Sequence, residues 1–126
     1  MNILLKIDSI MFYVSDLEIS ATFYTNILGL RQVWADHEQG MIGFVFQESD
    51  SEIVIHNDVT LPNPSFSFLV SDVETFCNEY QKNGYRVAKE PFEVRCGKYA
   101  ILIDPDGNEL PIIDLTKFSN KPKYSN

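Results

Sequence analysis

The sequence has few cysteines, few basic residues and no long apolar run. Its two cysteines, Cys77 and Cys96, lack CxxC spacing and neighbouring histidines, so neither a zinc site nor a disulfide framework is predicted. No stretch approaches the roughly 20 apolar residues that a transmembrane helix needs. Lys6 and Asp8 interrupt the apolar N-terminus and no small-residue cleavage site follows, which is atypical of a signal peptide and favours a cytoplasmic location.

The shortage of basic residues excludes one class of partner. Ten Lys and Arg stand against 18 Asp and Glu, for a formal charge of -8. Binding nucleic acid requires a basic face that neutralises phosphates, and the sequence offers none. Residues 1–59 carry 2 basic residues against 9 acidic ones. Solubility accounts for this asymmetry, and the alternative is attraction of a cationic ligand.

What the sequence does contain is enough apolar surface for one folded domain. Apolar residues make up 44% of the 126 positions, including 9 Phe, 6 Tyr and 1 Trp. This length and composition predict a single globular domain with its own core.

An internal repeat organises the chain. FYVSDLE at residues 12–18 recurs as FLVSDVE at residues 68–74, with five of seven positions identical at an offset of 56. The match continues from Tyr24 to Tyr80 and, after a slip of one residue, from Gly29 to Gly84. The pattern therefore predicts a strand, a helix and a helix-terminating glycine in each copy.

The two predicted helices begin at Ser15 and Ser71. Each serine is an N-cap candidate followed three residues later by a glutamate, which is the pattern of a capping box. The predicted core stripes are Leu17, Ala21, Tyr24 and Leu28 in the first helix, and Val73, Phe76, Cys77 and Tyr80 in the second.

Strand-like segments flank each helix and complete a βαβββ pattern in both copies. The first module covers about residues 5–57 and the second about residues 64–114, joined by the proline-containing linker NDVTLPNP at residues 57–64. The lysine-rich tail, residues 115–126, is expected to be frayed or weakly docked. The predicted strands are residues 7–14, 31–36, 40–47, 51–56, 65–70, 85–89, 95–103 and 109–113.

These features together resemble a known superfamily. The repeat, the VSDLE and VSDVE helix starts, FYTNILGL at residues 23–30 and DPDGN at residues 104–108 are similar to the vicinal oxygen chelate superfamily of glyoxalases, bleomycin resistance proteins and extradiol dioxygenases. The resemblance implies an α+β fold of two tandem βαβββ modules, whose mixed sheet curls around a shared ligand cavity. It also implies a homodimer.

Enzymes of that superfamily hold a divalent metal on side chains from the first and last strands of each module. The corresponding positions here are Ser9, Ser65, Pro111 and Ile53, with Glu52 as the alternative to Ile53. His37 lies in an acidic turn and is expected to be exposed, and His56 is expected to have a structural role at a strand end. Too few ligands remain for a metal centre, so the sequence predicts a metal-free member without a cofactor.

Alternation along the strands predicts which side chains face the cavity. Trp34, Phe44 and Phe46 can bind planar or cationic groups, with core or dimer packing as the alternative. Glu109 is the one weak candidate for a general base, and a solvated acid is the competing interpretation. The predicted ligand-binding residues are Ser9, Met11, Tyr13, Trp34, Phe44, Phe46, Ile53, Ser65, Ser67, Tyr99, Glu109 and Pro111.

Three functions remain open from the sequence. The first is a binding protein that sequesters a cationic or aromatic small molecule, such as an antibiotic, without chemistry. The second is a metal-dependent lyase or dioxygenase with displaced ligands. The third is a regulatory module that uses the fold as a scaffold.

Overall fold

The computed structural model describes residues 3–120. Within them, eight strands and two helices follow one another as β-α-β-β-β twice, so the predicted α+β class and module order are confirmed. The bounds are β1 Lys6–Tyr13, α1 Leu17–Thr22, β2 Arg31–Asp36, β3 Met41–Val45, β4 Glu52–His56, β5 Ser65–Leu69, α2 Val73–Lys82, β6 Val87–Glu93, β7 Lys98–Ile103 and β8 Glu109–Ile113. None of the described helices is long and apolar enough to cross a membrane.

Ser9–Phe66 forms one compact unit, which we call the first unit. Its strands lie in the order β2-β3-β4-β1, with β1 parallel to β4 and the other pairs antiparallel. The helix packs on one side of this sheet over Ile42, Phe44 and Ile55, all at most 1% exposed.

The remaining described residues form the second unit. Its strands lie in the order β5-β8-β7-β6, with β5 parallel to β8. Val73, Phe76 and Cys77 of α2 pack against a sheet face that includes Ala100 and Ile112. Burial raises the pKa of the Cys77 thiol to about 11, so this cysteine is an inert core residue, as its position on the stripe predicted.

Both helices begin later than predicted. The N-caps are Asp16 and Asp72, whose carboxylates accept hydrogen bonds from the N–H groups of Ile19 and Thr75 at 2.9 Å. The predicted starts at Ser15 and Ser71 are therefore wrong by one residue, because an aspartate follows each serine and caps at least as well.

The capping-box prediction fails with that shift. Glu18 and Glu74 each stand two residues after the N-cap, one short of the capping-box position. Glu74 instead accepts a hydrogen bond from the Lys98 ammonium at 2.8 Å.

The glycine stops are confirmed, since Gly29 and Gly84 have φ of 76° and 91°. The one-residue slip between the copies has a structural cause. After Thr22 the first helix widens into a π-helical turn, Phe23–Ile27, in which the Leu28 N–H donates to the Phe23 carbonyl five residues back. A π turn accommodates one extra residue within a helix. It also turns Leu28 out of the predicted stripe, leaving it 52% exposed, and Leu30 is buried instead.

The tail is better anchored than predicted at its start. Leu115 is buried, and the Lys117 N–H donates to the Cys96 carbonyl at 3.0 Å. The Lys117 ammonium also lies 2.7 Å from the Glu93 carboxylate, and Arg95 lies over the Phe118 ring. Residues 121–126 of the predicted tail lie outside the described residues.

One buried carboxylate ties the second unit together. Asp114, 1% exposed, accepts hydrogen bonds from the N–H groups of Val73 at 2.8 Å and Lys98 at 2.9 Å, and from the Thr116 hydroxyl at 2.8 Å. It therefore joins the start of α2 to the start of β7. Gly97 lies so close that an added Cβ would overlap the Asp114 carboxylate.

The first unit repeats this pairing. Gly40 and Asn57 stand 57 residues before Gly97 and Asp114, and a Cβ at Gly40 would overlap the Asn57 amide. The repeat thus extends beyond the motifs that revealed it.

Candidate ligand-binding face

The candidate site is the side of the β2-β3-β4-β1 sheet that faces away from α1, which we call the distal face. Register fixes its members. Tyr13 pairs with His56, Met11 with Val54, and Trp34 with Gly43, so these side chains project on the same side, whereas Ile53 and Ile55 lie on the helix side.

The distal face is arranged as three rows across the strands. The first row holds the buried Ser9, Glu52 and Val45 and ends at the exposed Arg31, which pairs with Val45. The middle row is apolar except for the indole nitrogen. The third row combines polar groups with a flexible methionine. In strand order, the middle row is Met11, Val54, Gly43 and Trp34, and the third row is Tyr13, His56, Met41 and Asp36.

Trp34 is held in place from two sides. Its indole Nε1–H donates to the carboxylate of Glu52, which is 4% exposed. The ring lies over Gly43, where an added Cβ would overlap it. Glycine at this position therefore permits the indole to lie flat against the sheet, and the side chain remains half-buried.

His56 is fully buried at the end of β4. Its Nδ1 accepts a hydrogen bond from the Asp58 N–H at 3.1 Å, and its ring meets Tyr13 edge-on at 6.3 Å between centroids. Burial lowers the pKa of His56 below its usual value, although the negative charge of Asp58 opposes this. His56 lies at a strand end, where the sequence placed it, and His37 is exposed as expected.

The second unit has its own distal face. The register of β5, β8 and β7 directs Ser67, Pro111, Tyr99 and Glu109 away from α2, as alternation predicted. Burial raises the pKa of Tyr99 to about 12, so its phenol stays protonated. Glu109 is exposed.

Three predicted ligand-binding residues lie elsewhere. Phe44 is completely buried on the helix side, where it stacks on Tyr24 at 5.7 Å between centroids. Ile53 pairs with Phe44 and packs against the same cluster. Phe46 lies beyond the end of β3 and is 40% exposed. The predictions for Phe44 and Ile53 are wrong, because in each strand the residues that face away from the helix are the neighbours of these two.

The register also revises the inferred metal-ligand positions. Tyr13 pairs with His56 and Leu69 with Ile113, so the repeat relates β4 to β8 at an offset of 57. The first-module counterpart of Pro111 is therefore Val54, rather than Ile53 or Glu52.

The resulting set, Ser9, Val54, Ser65 and Pro111, contains no imidazole or carboxylate and does not fit a divalent metal. No cluster of three or more His, Cys, Asp or Glu that could hold an ion occurs among residues 3–120.

Sequence reasoning left Glu52 and His56, two polar groups of the distal face, out of the predicted ligand-binding residues. Glu52 was only an alternative, and His56 was assigned a structural role alone. Alternation along β4 puts His56 and Glu52 on the same face. Assigning that face to the one that carries Tyr13 requires the pairing of β1 with β4, which the sequence does not show.

The sequence matches a model of the glyoxalase/bleomycin resistance protein/dioxygenase superfamily over residues 6–112. Among solved structures, the chain is similar to methylmalonyl-CoA epimerase from Mycobacterium tuberculosis, with a TM-score of 0.62, 17% identity, and 88% of each chain covered. No curated protein sequence matches.

Two larger proteins share the fold. The 2,3-dioxygenase LapB from Pseudomonas sp. KL28 aligns with a TM-score of 0.64 and 24% identity over 89% of this chain and 41% of that one. The Mn(II)-bound glyoxalase from Novosphingobium aromaticivorans aligns with a TM-score of 0.60 and 18% identity over 90% of this chain and 40% of that one. At these identities the likeness concerns the fold alone.

Proposed function

Because this chain belongs to the glyoxalase/bleomycin resistance protein/dioxygenase superfamily, we propose that it binds a planar small molecule on the distal face of the first unit without using a metal. The proposed contacts are Ser9, Met11, Tyr13 and Trp34, with Ser65 as a further candidate in the same unit. Ser67, Tyr99, Glu109 and Pro111 are candidates for a separate contact on the second unit's own distal face.

The immobilised indole of Trp34 carries the proposal. A buried carboxylate fixes the ring edge, and a glycine makes room beneath the ring. Such an indole is already in position before a ligand arrives, so little side-chain entropy is lost on stacking. Met11 and Val54 continue the same row and supply an apolar floor.

Charge favours a cationic or neutral ligand over an anion. Asp36 ends the third row and Glu38 follows it as an exposed residue. The first 59 residues contain 9 acidic side chains and 2 basic ones, of which Arg31 lies in the first row, at the other end of β2 from Asp36. A cation near an indole gains from both the acidic field and the ring face.

The composition of the metal positions supports binding without chemistry. Serine, valine and proline cannot polarise vicinal oxygens through a metal. Glu109 is exposed on the second unit, away from the proposed contacts of the first. We therefore propose sequestration of a ligand, of which an aromatic antibiotic is one example, by a cytoplasmic homodimer.

Trp34→Ala should weaken binding of a stacked ligand by about 1 to 3 kcal/mol, the usual loss for a buried aromatic anchor. Wild-type protein is screened against aromatic and cationic aromatic compounds, and quenching of Trp34, the only tryptophan, identifies hits. Calorimetry then compares the variant with Phe23→Ala, which removes a 46% exposed aromatic from the helical side. Equal losses in the two variants, or a screen without quenching, would contradict the proposal.

Metal removal should change nothing. Chelator is expected to leave the melting temperature within about 1 °C, because no bound ion stabilises the native state by mass action. Elemental analysis should find no near-stoichiometric zinc, nickel, iron or manganese. His37→Ala serves as the control for adventitious binding to the exposed imidazole. A stoichiometric ion retained by that variant would instead support a metal-dependent enzyme.

A further inference from the structure

We propose that the Nε2–H group of His56 recognises a carbonyl oxygen of the ligand, so that the protein selects planar compounds bearing an uncharged oxygen acceptor. The inference rests on the proposed binding function and adds a selecting group to the distal face.

The hydrogen-bond pattern defines the tautomer. A backbone N–H can only donate, so Nδ1 of His56 must accept the bond from Asp58 and carries no proton. In the neutral ring the proton is then on Nε2. Burial lowers the pKa of His56, which favours this neutral form at pH 7.

The imidazole is also rigidly placed. The His56 carbonyl accepts from the Val14 N–H at 2.8 Å, while β1 and β3 pair with His56 on either side. The Asp58 turn that holds Nδ1 is itself fixed, because the Asp58 carboxylate accepts from both the N–H and the hydroxyl of Thr60.

Despite this, Nε2 is buried and has no partner within residues 3–120. Leaving a buried donor unsatisfied is costly, and native proteins retain few such groups without a reason. The group lies in the third row of the distal face, between Tyr13 and Met41, which are both only half-buried. Because His56 is 0% exposed, a ligand stacked along the neighbouring row reaches this donor only when the half-buried Tyr13 or Met41 side chain moves aside.

The required acceptor is uncharged. The Nε2–H group donates and cannot accept, so it selects a carbonyl or amide oxygen over a hydrocarbon. Asp36 ends the same row and the surrounding module is acidic, which disfavours a carboxylate.

Acetophenone and ethylbenzene provide a matched pair of probes, since they share a ring and differ in the carbonyl. Binding is followed by NMR through the single indole N–H signal of Trp34, and the His56 tautomer is read from long-range nitrogen correlations. We expect the Nε2–H tautomer in the free protein, a shift of its signal with acetophenone alone, and roughly tenfold tighter binding of acetophenone, as for a donor otherwise left unpaired.

Two variants separate recognition from folding. His56→Asn retains an acceptor near the Nδ1 position but removes the distant donor, and should abolish the preference for acetophenone. His56→Gln places an amide donor near the Nε2 position and should restore part of it.

The outcomes are distinct. Equal binding of both probes to the wild type overturns the inference and leaves the binding function intact, as does an Nδ1–H tautomer. If neither probe shifts the Trp34 signal, the binding function and the inference both fail. Should His56→Asn not fold, the wild-type tautomer and the acetophenone-specific shift of Nε2–H still decide the question.

Discussion

Replacing Asp114 with alanine should lower the free energy of unfolding by about 3 to 5 kcal/mol. The change strands the buried N–H of Val73 and weakens the support of Lys98 and Thr116, and each lost partner of a buried donor costs about 1 to 3 kcal/mol. It also removes a negative charge from the N-terminus of α2. Domains of this size are stabilised by only about 5 to 15 kcal/mol, so the variant should be close to unfolding.

Urea titration measures this effect, with a midpoint lowered by roughly 2 M for a slope of about 2 kcal/mol/M. Asp114→Asn keeps one acceptor oxygen and should lose about half as much. Asn57→Ala removes the repeat-related side chain, which is exposed, and should change stability by less than about 0.5 kcal/mol. A loss for Asp114→Ala no larger than that for Asn57→Ala would show that the buried hydrogen bonds do not stabilise the unit.

Gly43→Ala should displace Trp34 and reduce ligand binding by at least about tenfold. The added Cβ would overlap the indole, so the ring must leave Glu52 and the flat position over the sheet. Overpacking of this kind costs about 1 to 3 kcal/mol of stability. The tryptophan emission should shift to longer wavelength as the ring becomes hydrated.

A double-mutant cycle isolates the cause. In a Trp34→Ala background the space beside Gly43 is empty, so adding the methyl group should cost little stability there. A coupling energy of at least about 1 kcal/mol between the two positions is expected. Additive changes in the free energy of unfolding would mean that the glycine is needed for its backbone conformation and not to make room for the indole.

The fold could be predicted from the sequence because its signals are local and occur twice. Repeated serines, glycines and apolar stripes placed the helices within one or two residues. The errors in the helix starts arise because neighbouring side chains compete for the N-cap position, where Asp16 replaces Ser15. The π turn could not be predicted, because no residue type marks it. Its only trace in the sequence is the one-residue slip between the two copies.

The site was harder to predict because it depends on pairing between strands distant in sequence. A shift of one residue reverses the face of every side chain, and this single ambiguity assigned Ile53 to the distal face and left Glu52 as an alternative. The hydrogen-bond partner of the Trp34 indole could not be predicted either, because contact between Trp34 and Glu52 requires the strand order β2-β3-β4.

The π-helical turn has a consequence for how two modules of different length share one strand pattern. A residue inserted in a strand reverses the faces beyond it, and one inserted in a turn changes the hairpin geometry. Here the additional residue lies between Tyr24 and Gly29, and the bond from the Leu30 N–H to the Tyr24 carbonyl spans one residue more than that from Tyr85 to Tyr80. The helix accommodates this extra residue, so β1 and β5 still pair in parallel with β4 and β8 at corresponding positions.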